Sequence, residues 1–348
     1  MNNRLLELDA LRGLAAIMVV LFHLFLNSGY SFFNFGVTGV DLFFLISGFV
    51  IFLTLSKITN WQSFVISRFT RLYPTYWACV SITAILVFVT TNITLPNLAK
   101  QYLANMTMFQ HYAKIPHLDF QYWTLTVEMQ FYALMLLLFL LKKLNNIETI
   151  GTIICFICLS YDTILQKHLP NIYHIINNAF VLINHFPLFV SGIVFYRLKF
   201  QGHTINRYLL LLLCFITQLF LFDNGGQSHG FISLNQYILL LILYYALFLA
   251  YVKNKLNILV AKPLLFLGTI SYPLYLIHQY LSIHILLPNL QLIIPNKIIV
   301  VFVSCIINLL LASIIYFYIE KPASPALKHY LLTKLNANIK AKNNHLHP

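Results

Sequence analysis

Residues 10–28, ALRGLAAIMVVLFHLFLNS, form the first long apolar run of the chain, broken only by Arg12 near its start and His23 near its far end. A helix needs ~20 such residues to cross about 30 Å of hydrocarbon, so the stretch reads as a membrane span. It begins beside Asp9 and lacks a small-residue cleavage site, which separates it from a removable signal peptide. Similar runs follow at roughly 37–56, 76–94, 123–143, 149–165, 176–196, 207–222, 235–252, 264–287 and 297–319, the fifth and seventh being the shortest or most interrupted. The chain is 59% hydrophobic and 9% charged, with a mean hydropathy of +0.78, which excludes a soluble globule. The expected fold is an all-α membrane protein, a polytopic bundle of about ten transmembrane helices. Beyond it lies a polar, basic, Asn-rich tail expected to fray.

Basic residues set the orientation. With both termini cytoplasmic and ten spans, 18 of the 22 Lys and Arg fall on the cytoplasmic side, leaving Lys100, Lys114, Lys167 and Lys297 outside. The net charge of +13 therefore reads as a topology signal and a contact with anionic headgroups of the lipid bilayer, not as a nucleic-acid surface. The five cysteines are scattered through apolar segments; Cys155 and Cys158 make a C-x-x-C without a second pair, which fits packing rather than zinc or redox chemistry.

Polar residues inside the spans carry the functional argument, because each ionisable group in lipid needs a reason to be there. Arg12 and His23 are eleven residues apart, three helical turns plus about 20°, so they share a helix face ~16 Å apart along the axis. Taken alone, Arg12 fits a membrane-edge anchor and His23 a helix-packing hydrogen bonder. Depth argues further: at 1.5 Å per residue His23 lies ~18 Å and His278 ~21 Å from the inner face, with Asp41 ~6 Å and Glu128 ~8 Å from the outer face. Four ionisable groups from four spans thus share one slab, and a common polar cavity is the economical arrangement. A His beside a carboxylate suits a general base with an orienting partner. No G-x-S-x-G elbow occurs, Ser47-Gly48 fits a small-residue helix contact, and the His and carboxylate positions lack metal-ligand spacing, so no metal is expected.

On the cytoplasmic side Arg68 and Arg71, spaced i, i+3, can aim two guanidinium forks at one anion from a short helix, or simply set topology at the headgroups. Tyr272, Tyr275 and His278 recur every three residues, a stripe that fits packing or a belt as well as a site, and Pro273 predicts a kink among them.

The run Leu8-Asp9-Ala10-Leu11-Arg12-Gly13-Leu14-Ala15-Ala16 ending in His23, then Gly39-Val40-Asp41-Leu42-Phe43-Phe44, closely resembles the opening of the acyltransferase 3 family of integral membrane O-acyltransferases. The resemblance continues through Arg68-x-x-Arg71 with Tyr73-Pro74, Trp123 to Glu128 with Phe131-Tyr132, Ser271-Tyr272-x-x-Tyr275-Leu276-x-His278, and Glu320-Lys321-Pro322. It implies a membrane acyltransferase domain over 1–322 and a tail over 323–348. It further implies transfer of an acyl group, acetyl being expected, from cytoplasmic acyl-CoA to a hydroxyl of a glycan, lipid-linked or other envelope acceptor, in a prokaryotic inner membrane.

By that resemblance His23 is the catalytic residue and Arg12, Arg68 and Arg71 are donor-side cations. Asp41, Glu128 and His278 join the expected catalytic set, with Tyr272 and Tyr275 on the substrate. The chain departs from many relatives at Met129, where a second Glu is common, and at Gln279, where Pro is common. In the expected scheme His23 takes the proton of the attacking hydroxyl; a covalent acyl-histidine is the rival step. A secondary transporter or flippase would also place ionisable residues near the midplane, yet inverted halves with broken helices are not visible. A non-catalytic sensor or scaffold on the same fold is the remaining class.

Overall fold

The computed structural model describes residues 5–26, 31–223 and 228–346. Arg4, the expected end of the first span at Asn27 and Ser28, and the last two residues of the tail lie outside them. Among the described residues there is no strand. The helices are α1 (Leu6–Phe25), α2 (Gly39–Leu55), α3 (Trp61–Thr90), α4 (Leu95–Asn105), α5 (Trp123–Leu140), α6 (Ile147–Ser160), α7 (Gln166–His168) and α8 (Pro170–Ala179). They are followed by α9 (Phe186–Phe200), α10 (Ile205–Phe220), α11 (Leu234–Val252), α12 (Lys262–Tyr280), α13 (Leu287–Ile293), α14 (Lys297–Ile315) and α15 (Lys321–Leu346).

Eight helical stretches are long and apolar enough to cross a membrane, so the chain is a multi-pass, all-α membrane protein. The other two expected segments are helical too. One, α10, is apolar but has only 16 residues; the other, α12, mixes Thr269, Ser271, Tyr272, Tyr275, His278 and Gln279 into its apolar sequence. Side chains such as Ile85, Leu239, Phe302 and Leu310 point outward, the surface expected of a bundle whose solvent is lipid. Beyond Lys321, where a polar tail was expected, the chain continues as α15.

One boundary differs from expectation in a way that matters. The third helix begins at Trp61, not near residue 76, and runs for 30 residues. Its N-cap Asn60 accepts a hydrogen bond from the Ser63 N–H at 2.8 Å, and no breaker follows before Pro74, which the helix passes through. Arg68 and Arg71 therefore ride on the first half of this long helix rather than on a separate short one.

Between helices in lipid, close packing replaces the hydrophobic effect, and small residues mark where backbones meet. A Cβ on Gly13 would lie 2.3 Å from the Leu264 carbonyl oxygen, and one on Gly268 would lie 2.0 Å from that of Asp9, so α1 and α12 touch backbone to backbone there. Gly48 and Gly192 do the same for α2 and α9.

Candidate active site

The contact of α1 with α12 decides what His23 meets. Gly13 and Gly268 fix the register of two helices that run the same way, and ten residues on in each stand His23 and His278. Their rings pack with centroids 4.9 Å apart, and His278 Nε2 lies 3.1 Å from His23 Nδ1. His278 Nδ1 faces the Tyr275 carbonyl oxygen at 2.9 Å and that of Leu274 at 3.1 Å, while His23 Nδ1 faces the Val19 oxygen at 2.9 Å. Carbonyls only accept, so in the neutral pair both Nδ1 atoms carry the hydrogen. His278 Nε2 is then an acceptor for His23 Nδ1–H, and His23 Nε2 keeps its lone pair. The partner that holds the His23 ring is thus an imidazole; no carboxylate hydrogen-bonds either ring among the described residues.

Instead of the single cavity expected, an arginine-lined cavity and a neighbouring one walled by His23 divide the polar residues. The first, of about 120 Å³, is lined by Arg12, Arg68 and Arg71 together with Ser47, Glu128, Tyr132, Ser271, Tyr272 and Tyr275. Glu128 belongs here and not with His23: its Oε1 accepts from Ser47 Oγ at 3.0 Å and from the Tyr132 hydroxyl. Arg12 Nη1 lies 3.5 Å from Asp9 Oδ1. Arg71 pairs with Glu320, whose second oxygen accepts from Thr75 Oγ1 at 3.2 Å, and its guanidinium lies 5.2 Å from the Tyr272 ring centre. Among the described residues Arg68 meets no carboxylate: Nη2 donates to Ser67 Oγ at 3.1 Å, the guanidinium lies 5.9 Å from the Tyr132 ring centre, and Nε is buried without a partner.

The second cavity, of about 30 Å³, contains His23, Asp41, Phe120, Gln121, Trp123, His185, Tyr275 and Gln279 in its wall. Val40 and Tyr275 line both cavities and so form the partition between them. The Tyr275 hydroxyl is held 3.0 Å from Thr124 Oγ1. His23 also reaches a third cavity, of about 190 Å³, between the end of α1 and the α13–α14 region, where Gln291 and Lys297 supply the polar lining. The Tyr272 hydroxyl, by contrast, donates to the Leu72 carbonyl at 3.1 Å and is occupied in packing.

Of the residues singled out from sequence, Arg12, Arg68, Arg71, Glu128, Tyr272 and Tyr275 gather at one cavity, and His23, Asp41 and Tyr275 at the other. His278 stands fully buried behind His23. A family model for an acyltransferase domain matches residues 5–317. The chain belongs to the acyltransferase 3 family. No curated protein and no solved structure matches this acyltransferase at a significant level. Among the described residues no group of three or more His, Cys, Asp or Glu side chains is placed to hold a metal ion.

Sequence reasoning about this family member missed Gln121, His185 and Glu320. Glu320 stands in the quoted Glu320-Lys321-Pro322 motif, and its place opposite Arg71 comes from a π-helical turn, Tyr316–Glu320, that joins α14 to α15 and turns the carboxylate inward. Gln121 and His185 sit in short connecting turns just before α5 and α9, where polar residues look like ordinary span ends. The C-x-x-C splits apart: Cys155 Sγ packs 3.7 Å from Cys214 Sγ, and Cys158 Sγ sits 3.7 Å from the Ile183 oxygen.

Proposed function

We propose that the chain is a membrane O-acyltransferase that moves an acyl group, acetyl being the expected one, from cytoplasmic acyl-CoA to a hydroxyl of an envelope glycan, glycolipid or similar acceptor. The observation that carries this reading is an arginine-lined cavity neighbouring a second one walled by His23. In this reading Arg12, Arg68 and Arg71 bind the phosphates of CoA, since guanidinium forks match phosphate oxygens. The pantetheine arm passes Val40 and Tyr275 and brings the thioester to His23. His23 Nε2 takes the proton of the acceptor O–H as that oxygen attacks the thioester carbonyl. The new O–C bond forms, the C–S bond breaks, and the proton passes from His23 to the departing CoA thiolate. His278 acts as a positioning residue that fixes the His23 tautomer, a part expected of a carboxylate; Asp41 faces the acceptor and Glu128 the donor side. The basic-residue count supports cytoplasmic termini and a cytoplasmic donor cavity, and the family resemblance suggests a prokaryotic inner membrane.

The test is release of CoA from acetyl-CoA by purified protein in nanodiscs, with mixed envelope glycolipids as acceptor and wild type beside His23→Ala. General-base catalysis contributes typically ~10²–10⁴-fold, so the variant should lose about that factor in kcat while acetyl-CoA still binds. Undiminished turnover by a correctly inserted His23→Ala protein would rule out the scheme.

A further inference from the structure

The cavity beside His23 has more hydrogen-bonding capacity than the catalytic step uses. Asp41 Oδ2, Gln121 Oε1, His185 Nδ1 and Gln279 Oε1 are all buried, all without a partner among the described residues, and all on residues that line it. Buried polar atoms without partners are rare, and four of them, three being acceptor oxygens, on residues that line one space mark a place where hydrogen-bonding groups are brought in. Two of these side chains are visibly held by their surroundings. The Gln121 amide nitrogen donates to Asp119 Oδ2 at 3.3 Å, which leaves its carbonyl oxygen as the free end. The His185 ring is fixed between Phe44, at 4.9 Å, and Trp123, at 5.4 Å.

Their place in the fold says which substrate they meet. Asp41 is in the first turn of α2, Gln279 in the last turn of α12, Gln121 just before α5 and His185 just before α9. That end of the bundle lies beyond the Val40–Tyr275 partition from the arginines. The donor arrives from the arginine side, so the groups beyond the partition meet the acceptor. At roughly 10–15 Å³ per water-sized group, the cavity's volume of about 30 Å³ takes about two hydroxyls, not a whole sugar ring.

We propose that Asp41, Gln121, His185 and Gln279 form a diol-reading subsite, in which one or two hydroxyls next to the one acylated hydrogen-bond to atoms of this set. It rests on the acyl-transfer reading above and narrows it. A simple alcohol spends its only O–H on His23 and leaves this set without a partner; a saccharide or polyol edge with adjacent hydroxyls brings up to about two further O–H groups to it. Sites built to bond a hydroxyl discriminate strongly against analogues that lack it.

The experiment is a competition between glycerol and 1-propanol as surrogate acceptors, three carbons each, with acetyl-CoA and nanodisc-embedded protein. Ester products are quantified by mass spectrometry, and CoA release is followed in parallel. Wild type should acetylate glycerol over 1-propanol by at least about 10-fold. Gln279→Leu and, separately, Gln121→Leu should reduce that preference about 10-fold, with the acetyl-CoA KM changed little, and Gln279→Glu, which keeps an acceptor oxygen, should retain it. Melting curves of the variants check folding. CoA release in wild type with no preference for glycerol overturns the subsite. A raised acetyl-CoA KM in Gln279→Leu with the preference intact also overturns it, assigning the oxygens to the pantetheine amides. Absence of CoA release with any acceptor, water included, speaks instead against the acyl-transfer reading on which the subsite rests.

Discussion

At the scale of single residues, the three arginines are not equivalent. Arg71 is matched by Glu320 and Arg12 by Asp9, whereas Arg68, among the described residues, has no carboxylate partner and meets Ser67 and the face of Tyr132. Its guanidinium is therefore the one most available to a phosphate. Hydrogen bonds to a charged group contribute about 1.5–3 kcal/mol, so Arg68→Ala should raise the acetyl-CoA KM about 10–100-fold with little change in acceptor use. Arg71→Ala should behave differently because it leaves Glu320 buried without its cation. A fully buried pair broken this way costs about 3–5 kcal/mol, and because the Arg71 side chain is 38% exposed the loss should be nearer ~2 kcal/mol. Adding Glu320→Gln should restore most of that stability without restoring donor affinity. Steady-state kinetics beside thermal melts of the single and double variants separate the two roles; equal KM effects without a stability difference would contradict the assignment. Arg12 and His23 could be read as a pair from sequence because both sit on one helix, where periodicity alone fixes their relation. The Glu320 partnership could not, since it joins positions 249 apart in the chain.

Elements determine whether these residues meet. His23 and His278 face each other because α1 and α12 approach at Gly13 and Gly268, a tertiary register that no local pattern encodes. The Tyr272, Tyr275, His278 stripe was visible as a pattern, yet only the folded structure shows Tyr275 on the wall of both cavities and Tyr272 on that of the first alone, its hydroxyl given to Leu72. A Cβ on Gly268 would press on the Asp9 carbonyl at 2.0 Å. Gly268→Ala should therefore lower stability by about 1–3 kcal/mol and depress kcat with it, by moving His278 away from His23. Gly230→Ala, with nothing within 4 Å, is the control; an active, fully stable Gly268→Ala protein would contradict the register argument. The connection from α4 to α5 gives a second test, because it lies outside the spanning stretches and is tied to the end of α12 by Asp119, whose Oδ2 accepts from the Tyr280 N–H at 3.0 Å. Burial pushes the Asp119 carboxyl up to about 7 against the backbone hydrogen bonds that favour its charged form. Burial first, and His111 next, push His117 down to about 4. A raised carboxyl contributes stability that is full near pH 4 and is lost as pH rises to about 7; the depressed His117 loses stability as pH falls from ~6.5 to about 4. The two oppose across that window. Asp119→Asn removes the first, so its melting temperature should climb with pH from about 4 to about 6.5 where the wild type stays flatter. Parallel pH–melting curves for the two proteins would refute the assignment.

Across the whole molecule, the arrangement is a division of labour along the bundle axis. Composition alone indicated a membrane bundle, because a chain this apolar has no other solvent. The distribution of polar groups within the bundle was only half readable. Depth along each span placed His23, Asp41, Glu128 and His278 in one slab, but depth carries no lateral information, and Glu128 falls on the arginine side of the partition. That partition is thin: of the residues lining the first two cavities, Val40 and Tyr275 are the two they share, and the Tyr275 hydroxyl is tethered to Thr124 at 3.0 Å. An acyltransferase that works on a thioester has to keep water from competing with its acceptor, and excluding water is what such a septum contributes. Tyr275→Ala would join the two spaces into one. Acetyl-CoA should then be hydrolysed faster relative to productive transfer, the ratio of released CoA to ester product rising by about 10-fold, while Tyr275→Phe, which keeps the ring, should stay near the wild-type ratio. Thiol release measured against ester product in the same reaction reads that ratio directly. If Tyr275→Ala lowered both rates in equal proportion, Tyr275 would be a substrate contact rather than a septum, and water would have to be held off elsewhere in the bundle.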